Sequence, residues 1–246
     1  MDFARYVDHL VEQGDAMRAA AVAAGPAATV PTCPEWTVAQ LVRHMARVHR
    51  WAGTAVLTDP ADEAPVAVEA PADWDELLAY WDEHRAALTS RLRDRGPDAP
   101  AWAFVPAVSN AGFWARRQAH ETAIHRLDAE HAAAGDDPVD TLMFDPELAA
   151  DGIDEALHRM IPRRLAREPA TATGTVLFHA ADAGASWLVH LRGADGVAVG
   201  PAENPAIDAD ASVVGTADAV YRATWHRPSN AVLGGDLGLI AALRTP

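Results

Sequence analysis

The hydrophobic pattern of this chain changes period once, and that change, near Glu168, narrows the available folds more than any other feature. Before it, apolar residues recur every three or four positions, the spacing of helices with one face on a core. After it come TGTVLFHAADAG, SWLVHLRG, DGVAVGPA and ASVVGTA, short runs rich in Val, Leu, Thr and Trp and bounded by Gly, Asp or Pro. Runs of that length and makeup read as strands. The pattern predicts an α+β chain, with an N-terminal up-down four-helix bundle over residues 1–168 and a small C-terminal α+β domain over 169–246. Helices around 217–226 and 237–243 complete the second domain. With 246 residues, 50% of them hydrophobic, the chain can bury a core in each.

Local signals mark the helix ends. In Thr37-Val38-Ala39-Gln40 a Thr hydroxyl and a Gln three residues on can satisfy free backbone donors reciprocally, and the stripe Leu41, Met45, Val48, Ala52 follows, with His44 beside it. An earlier helix runs from Asp2 to about Ala24 with Phe3, Val7, Leu10, Val11 and Met17 inward. A third follows Asp73 and carries Trp74, Leu77, Leu78, Trp81, Leu88 and Leu92. The fourth is expected to begin at Asn110, a good N-cap, and to stop near Gly135. A fifth starts with Asp145 as cap and Pro146 at its first position, and runs to about Arg167 with a break near Pro162. The Pro-rich stretches TDPADEAPVAVEAPA and RGPDAPAWAFVPAVS are loops and candidate pocket walls.

The fourth helix carries the chemistry. Glu121 and His125 stand four residues apart, so both project from one face about one turn apart and can hold one ion between them. His120 and His125 are five apart and face different ways, so HETAIH is not the H-E-x-x-H protease motif. A third ligand has to come from another helix. His44 fits, because it lies on the inner side of the second helix, which an antiparallel bundle brings against the fourth. Two His and one carboxylate leave coordination positions open for water or a substrate thiol. An exposed Glu–His helix pair, with His44 a satisfied histidine near the core, is the plainer reading of the same spacing; Ile124 and Trp114, which flank the clamp on a mainly apolar surface, bring a bound ion level with it, and both readings stay open.

Charge and cysteine content limit the partners. A net charge of -15 repels phosphate backbones and anionic lipid, which argues against nucleic acid and membrane surfaces and for small molecules. No apolar run reaches the roughly 18 residues of a membrane span, and MDFARYVDHLVEQGD has acidic residues where a signal peptide has a basic flank, so a cytoplasmic location is expected. The single cysteine excludes an internal disulfide and a multi-thiolate zinc site, so a metal must use His, Asp or Glu. The chain is expected to act as a monomer or homodimer.

The segment TCPEWTVAQLVRH, with its Trp-Thr helix start and a His eight residues after Trp36, is followed far downstream by ARRQAHETAIHRLDAE. Together they resemble the mycothiol-dependent maleylpyruvate isomerase family of the DinB/YfiT-like superfamily, over nearly the whole chain. ATWHRP is similar to that family's Leu-Trp-x-Arg element. The resemblance implies a DinB-like metal-binding bundle, zinc on His44, Glu121 and His125, and mycothiol as cosubstrate. A divalent cation on sulfur lowers the thiol pKa below its free value of about 8.5, so the protein need not supply its own nucleophile. A thiolate that adds to a conjugated double bond and is expelled after bond rotation gives cis-trans isomerisation, and a stable adduct gives S-transfer. The expected function is therefore thiol transfer, addition or isomerisation on an unspecified small electrophile, with maleylpyruvate itself less favoured.

Further residues are candidates for binding substrate or thiol. Asp128 returns to the face of Glu121 two turns on, where it can orient a ligand His or hold sugar hydroxyls, or serve as a plain helix-end charge. Arg126 adjoins the clamp. Arg227 can reach an anionic substrate group or form an ordinary salt bridge. Trp102 is the tryptophan expected to line a pocket, whereas Trp74 and Trp81 have core spacing. Cys33 is expected to be incidental, His49 to point elsewhere, and His120 to lie behind the ligands or on the surface. Iron or nickel are alternative metals on the same ligands, iron implying a non-haem iron enzyme. A non-catalytic small-molecule or protein binding module on the bundle scaffold is the other alternative.

Overall fold

The structure, a computed structural model, describes residues 1–140, 143–202 and 208–245. The chain divides into two compact units, Met1–Val139 and Asp140–Pro246. The first is built from α1 (Phe3–Ala24), α2 (Val38–Ala55), α3 (Trp74–Arg95) and α4 (Ala111–Ala134). Their ends are where the capping residues put them. Thr37 and Gln40 form the reciprocal box, at 2.7 and 3.4 Å. The Asp73 side chain accepts from the amides of Asp75 and Glu76, and that of Asn110 accepts from Phe113 at 2.8 Å. Each cap satisfies amides that have no partner within the helix.

Contacts along the helices give their directions. Tyr6 meets His120 and Gln13 meets Arg126, so α1 and α4 run parallel. His49 meets Trp81 and Gly53 meets Leu88, so α2 and α3 run parallel as well. Arg18 pairs with Asp82 and Arg93 with Asp8, which sets α1 against α3 in opposite directions. Ala52 and Ala55 share a buried cluster with Ala111 and Trp114 while Leu41 and Met45 share one with Ala129, so α2 and α4 are antiparallel. The expected α+β class and four-helix bundle hold, and the order of directions is up-down-down-up. Parallel neighbours need a connection that returns along the bundle. The loop 56–73 does this, spanning the roughly 27 Å length of the 18-residue α2.

The second unit begins with α5 (Pro146–Glu155), a π-helical turn (Ala156–Met160) and α6 (Ile161–Leu165). The expected break near Pro162 is this π turn: a proline has no N–H for the carbonyl four residues back, and the chain widens just before it. Strands β1 (Thr173–Ala180), β2 (Ala185–Arg192), β3 (Val197–Pro201), β4 (Ala211–Gly215) and β5 (Val232–Gly235) form one sheet in the order β3-β2-β1-β4-β5. β1 and β4 are parallel and the other pairs antiparallel. The sheet is accompanied by α7 (Ala217–Thr224) and α8 (Leu237–Ala242).

Two sequence expectations need revision here. The division lies between residues 139 and 140 rather than near 168, because α5 buries Leu148, Ala149 and Ile153 and packs on α7 within the second unit. Helical periodicity shows that a helix has an apolar face without showing which partner covers it. The strand β5 went unanticipated: it is a short sheet-edge segment of Val232, Leu233 and two glycines, with Val232 70% exposed, and carries no alternation. No described helix is long and apolar enough to cross a membrane.

Candidate metal centre

Antiparallel packing of α2 on α4 brings His44, two turns past its helix start, level with Glu121 and His125. Nε2 of His44 stands 3.2 Å from Oε1 of Glu121, and Nε2 of His125 stands 3.6 Å from the same oxygen. The two imidazole rings meet edge to face with centroids 4.9 Å apart. One donor atom from each of the three residues lies within 4.8 Å of the others, and among the described residues this is the group of His, Cys, Asp and Glu that could hold a metal ion. All three side chains are partly exposed, so the cluster opens to a ligand.

A ring of buried groups fixes the three. Oδ2 of Asp128, fully buried, lies 2.9 Å from Nδ1 of His125, and its Oδ1 accepts from the Thr32 hydroxyl at 2.5 Å. That bond assigns the proton to Nδ1 and leaves Nε2 aimed at the cluster, the carboxylate–histidine arrangement that orients metal ligands. Arg117, 4% exposed, donates to Oε2 of Glu121 at 2.9 Å. Burial pushes the Glu121 pKa up, yet bonds from His125 and His44 and the charge of Arg117 together outweigh it and hold the carboxyl well below its usual range. Burial likewise opposes the charge on His125, but the bonds to Asp128 and Glu121 prevail and raise its pKa to about 9. The donor set of two imidazoles and an ionised carboxylate therefore suits a divalent cation, which would displace a proton from His125.

A groove of about 380 Å³ leaves the cluster at His44 and is lined by Trp36, Gln40, Arg43, Arg47, Trp51 and Ala67. The Trp36 ring lies 5.1 Å from His44 and 6.2 Å from His125, forming one wall of the cluster.

A family model for the mycothiol maleylpyruvate isomerase N-terminal domain matches residues 7–130, and one for the MDMPI C-terminal domain matches residues 147–242. The chain belongs to the mycothiol maleylpyruvate isomerase family. A crystal structure of the mycothiol-dependent maleylpyruvate isomerase is similar to it with a TM-score of 0.57 at 15% identity, covering 95% of this chain and 93% of that one. A crystal structure of a histidine-to-alanine mutant of that isomerase gives a TM-score of 0.60 at 13% identity, with the same coverage. At such identities the likeness is one of fold. A comparison with curated proteins gave no match.

In this family member the remaining candidates divide sharply. Asp128 joins the cluster through His125. Arg126 does not: its guanidinium donates to Gln13 on α1 and to Glu130, at 2.9 and 3.4 Å, about 100° around the helix from His125. Trp102 packs edge to face on Trp51 at 5.7 Å and offers its carbonyl to the Trp114 indole, so it backs the groove wall while Trp51 forms it. Arg227 lies in the second unit, where it donates to the Trp225 carbonyl at 2.9 Å. The Cys33 thiol faces Oδ2 of Asp128 at 3.8 Å, beside an acceptor that does nothing to ionise it. His120 is fully buried against α1 near Tyr6 rather than at the surface. His49 does point away from the ligands, bonded to Trp81 and Thr122 at 3.0 Å each. Sequence reasoning passed over Trp36, Arg117, Thr32 and Arg47. Arg117 was detectable, four residues before Glu121 on the same helix face; Thr32 sits in a loop with no period to place it.

Proposed function

We propose that this chain is a metal-dependent enzyme that holds zinc on His44, Glu121 and His125 and activates a low-molecular-weight thiol, mycothiol, for reaction with a small electrophile. The convergence of the three donor atoms within 4.8 Å, with Asp128 orienting His125, carries the reading. Family membership supports mycothiol as the thiol and isomerisation among the outcomes. A cytoplasmic site of action is consistent with such a cosubstrate.

A divalent cation bound there supplies a Lewis acid that lowers the pKa of a coordinated thiol. The protein's residues do the rest. Asp128 keeps the proton of His125 on Nδ1, and Arg117 holds Oε2 of Glu121, so that Nε2 and Oε1 face the ion position. Trp36 excludes water from one side of both imidazoles, and the groove past Arg47 to Trp51 receives the electrophile. The thiolate sulfur forms a C–S bond with the electrophile, and the π pair moves onto the conjugated carbonyl as an enolate. Rotation about the new single bond followed by expulsion of the thiolate isomerises the substrate, whereas protonation of the enolate leaves a stable thioether.

Metal analysis of the purified protein beside a His44→Ala, Glu121→Ala, His125→Ala triple variant tests the reading. About one zinc per chain, lost in the variant, supports it. Iron in the same place, on a ligand set that also suits non-haem iron, points to oxidation instead. No metal in either protein sinks the catalytic reading and leaves a small-molecule or protein binding module.

A further inference from the structure

The groove that leaves the metal centre at His44 changes character along its length. Gln40, His44, Arg47 and Trp51 all line it, and they follow one another on α2 at spacings of three and four, so they share one face of the helix. With a rise of about 1.5 Å per residue, Gln40 stands about 6 Å to one side of His44 along the axis and Trp51 about 10 Å to the other. The arginines of the groove are already engaged. Arg43 donates to the backbone carbonyls of Pro71 and Ala72 at 3.4 and 3.3 Å, and Nη2 of Arg47 meets Oε1 of Glu69 at 3.2 Å. Beyond Arg47 the lining residues are Trp51 and Ala67, both apolar.

Trp51 is a fixed wall. Its indole N–H donates to the Pro65 carbonyl at 2.8 Å, so the ring has no donor left and offers the groove only apolar surface. Trp114 meets it edge to face at 5.0 Å and Trp102 at 5.7 Å, while the Phe104 ring lies nearly parallel to it at 6.1 Å and 12°. Trp114 is fully buried, so these contacts tie the ring to the bundle core. Trp51 itself stays partly exposed, on the side that lines the groove. An indole held in this way loses little freedom when another ring packs on the part left open, and it can repeat there the offset or edge-to-face contacts it already makes. A sugar needs hydrogen-bond partners for its hydroxyls beside the ring, and among the described residues the lining past Arg47 supplies no polar side chain.

We propose that Trp51 is a specificity-determining residue that seats an aromatic ring of the electrophile, on the side of the metal centre away from Gln40. The inference rests on the thiol-transfer reading of that centre and names the class of electrophile it takes: one that carries an aryl group on a short linker. The linker follows from the spacing. Trp51 lies about two helical turns from His44, so a ring attached directly to the reacting carbon falls short of the indole and a linker of a few bonds reaches it.

The test uses benzylacetone and butanone, two saturated ketones that share a carbonyl end, differ by the phenyl ring and have no conjugated double bond for a thiol to attack. Binding is followed by NMR titration of the purified protein, with the Trp51 indole N–H signal, identified by its absence from the Trp51→Phe variant, as the local reporter. Benzylacetone is expected to bind about tenfold or more tightly than butanone and to shift that signal. Trp51→Leu should abolish the preference and Trp51→Phe should keep most of it, with the other indole signals in place in both. Equal affinities for the two ketones, a Trp51 signal that benzylacetone leaves unmoved, or the same preference in Trp51→Leu overturns the proposal. Methyl glucoside shifting the Trp51 signal at comparable affinity also overturns it, in favour of a sugar on the thiol as occupant. None of these readouts needs zinc or thiol, so a protein without zinc would strike the thiol-transfer reading and leave the ring seat standing.

Discussion

Nδ1 of His125 and Oδ2 of Asp128 lie 2.9 Å apart, one turn from each other on α4, with the carboxylate fully buried. The bond settles which imidazole nitrogen is left to face His44 and Glu121. It also adds negative charge behind the ligand, which makes Nε2 more basic. Asp128→Asn keeps the shape and loses the charge, and should weaken zinc binding by about 10- to 100-fold with unchanged helix content. Competition against a chelator of known affinity measures this. An unchanged affinity would reduce Asp128 to a packing residue.

His49 gives a pH dependence separate from the metal. It accepts from the Trp81 indole at Nδ1 and donates to the Thr122 hydroxyl at Nε2, which uses both nitrogens in the neutral form. Burial, helped by the charge of Arg85, lowers its pKa from 6.5 to about 3. Between those pH values the unfolded chain takes up a proton that the folded chain refuses. The contribution of His49 is therefore fully present above about pH 6.5 and is lost as the pH drops toward 3, by on the order of 5 kcal/mol. Urea unfolding at pH 7 and pH 4 should show a smaller loss for His49→Gln than for the unaltered protein. An equal loss would assign the acid sensitivity to the carboxylates alone.

In the second unit Asp218 and Arg222, 2% and 4% exposed, pair at 2.5 Å, and Asp218 also accepts from the Phe144 amide at 2.8 Å. Removing one charge strands the other without solvent. Asp218→Ala should cost about 3–5 kcal/mol in denaturant unfolding, and an apolar replacement of both residues should cost less than the single change. The opposite order would show that the pair stabilises by more than mutual compensation.

Gly235 ends β5 with φ +72°, and a Cβ there would stand 2.1 Å from the Asp210 carbonyl oxygen. Gly25 has φ +80° with nothing within 4 Å. Gly25→Ala should cost about 1 kcal/mol from the backbone alone, and Gly235→Ala clearly more, since backbone must move to admit the methyl. Thermal melts of the two variants compare them directly, and equal shifts would mean that the β4–β5 edge yields freely.

The four bundle helices could be read from the chain because their ends are written in single residues, Thr37, Asp73 and Asn110 as caps and Gly135 as a stop, each acting through bonds to amides within three residues of itself. β5 could not be read, because a four-residue edge strand owes its pairing to β4 and has no pattern of its own. Glu121 and His125 were legible for the same local reason as the caps: helical spacing alone puts them on one face. Arg126, adjacent to His125 in the chain, looked close to the site and is not, since one residue of rotation turns it to Gln13.

The sequence by itself determined the helices, the shared face of Glu121 and His125 on α4, the exclusion of a zinc site built from several cysteines and the presence of a second, strand-rich unit. Only the tertiary structure decided that α2 crosses α4 antiparallel at the height of His44, that Asp128 turns inward to His125, that α5 belongs with the second unit, and that Arg47 lines the groove beside His44. Helical period fixes where a side chain points about its own axis. Which axes cross, and at what height, is fixed by the burial of Leu41, Met45, Trp81 and Ala129 in one cluster and of Ala52, Leu88 and Trp114 in another, a sum over distant residues that no short segment of the chain contains.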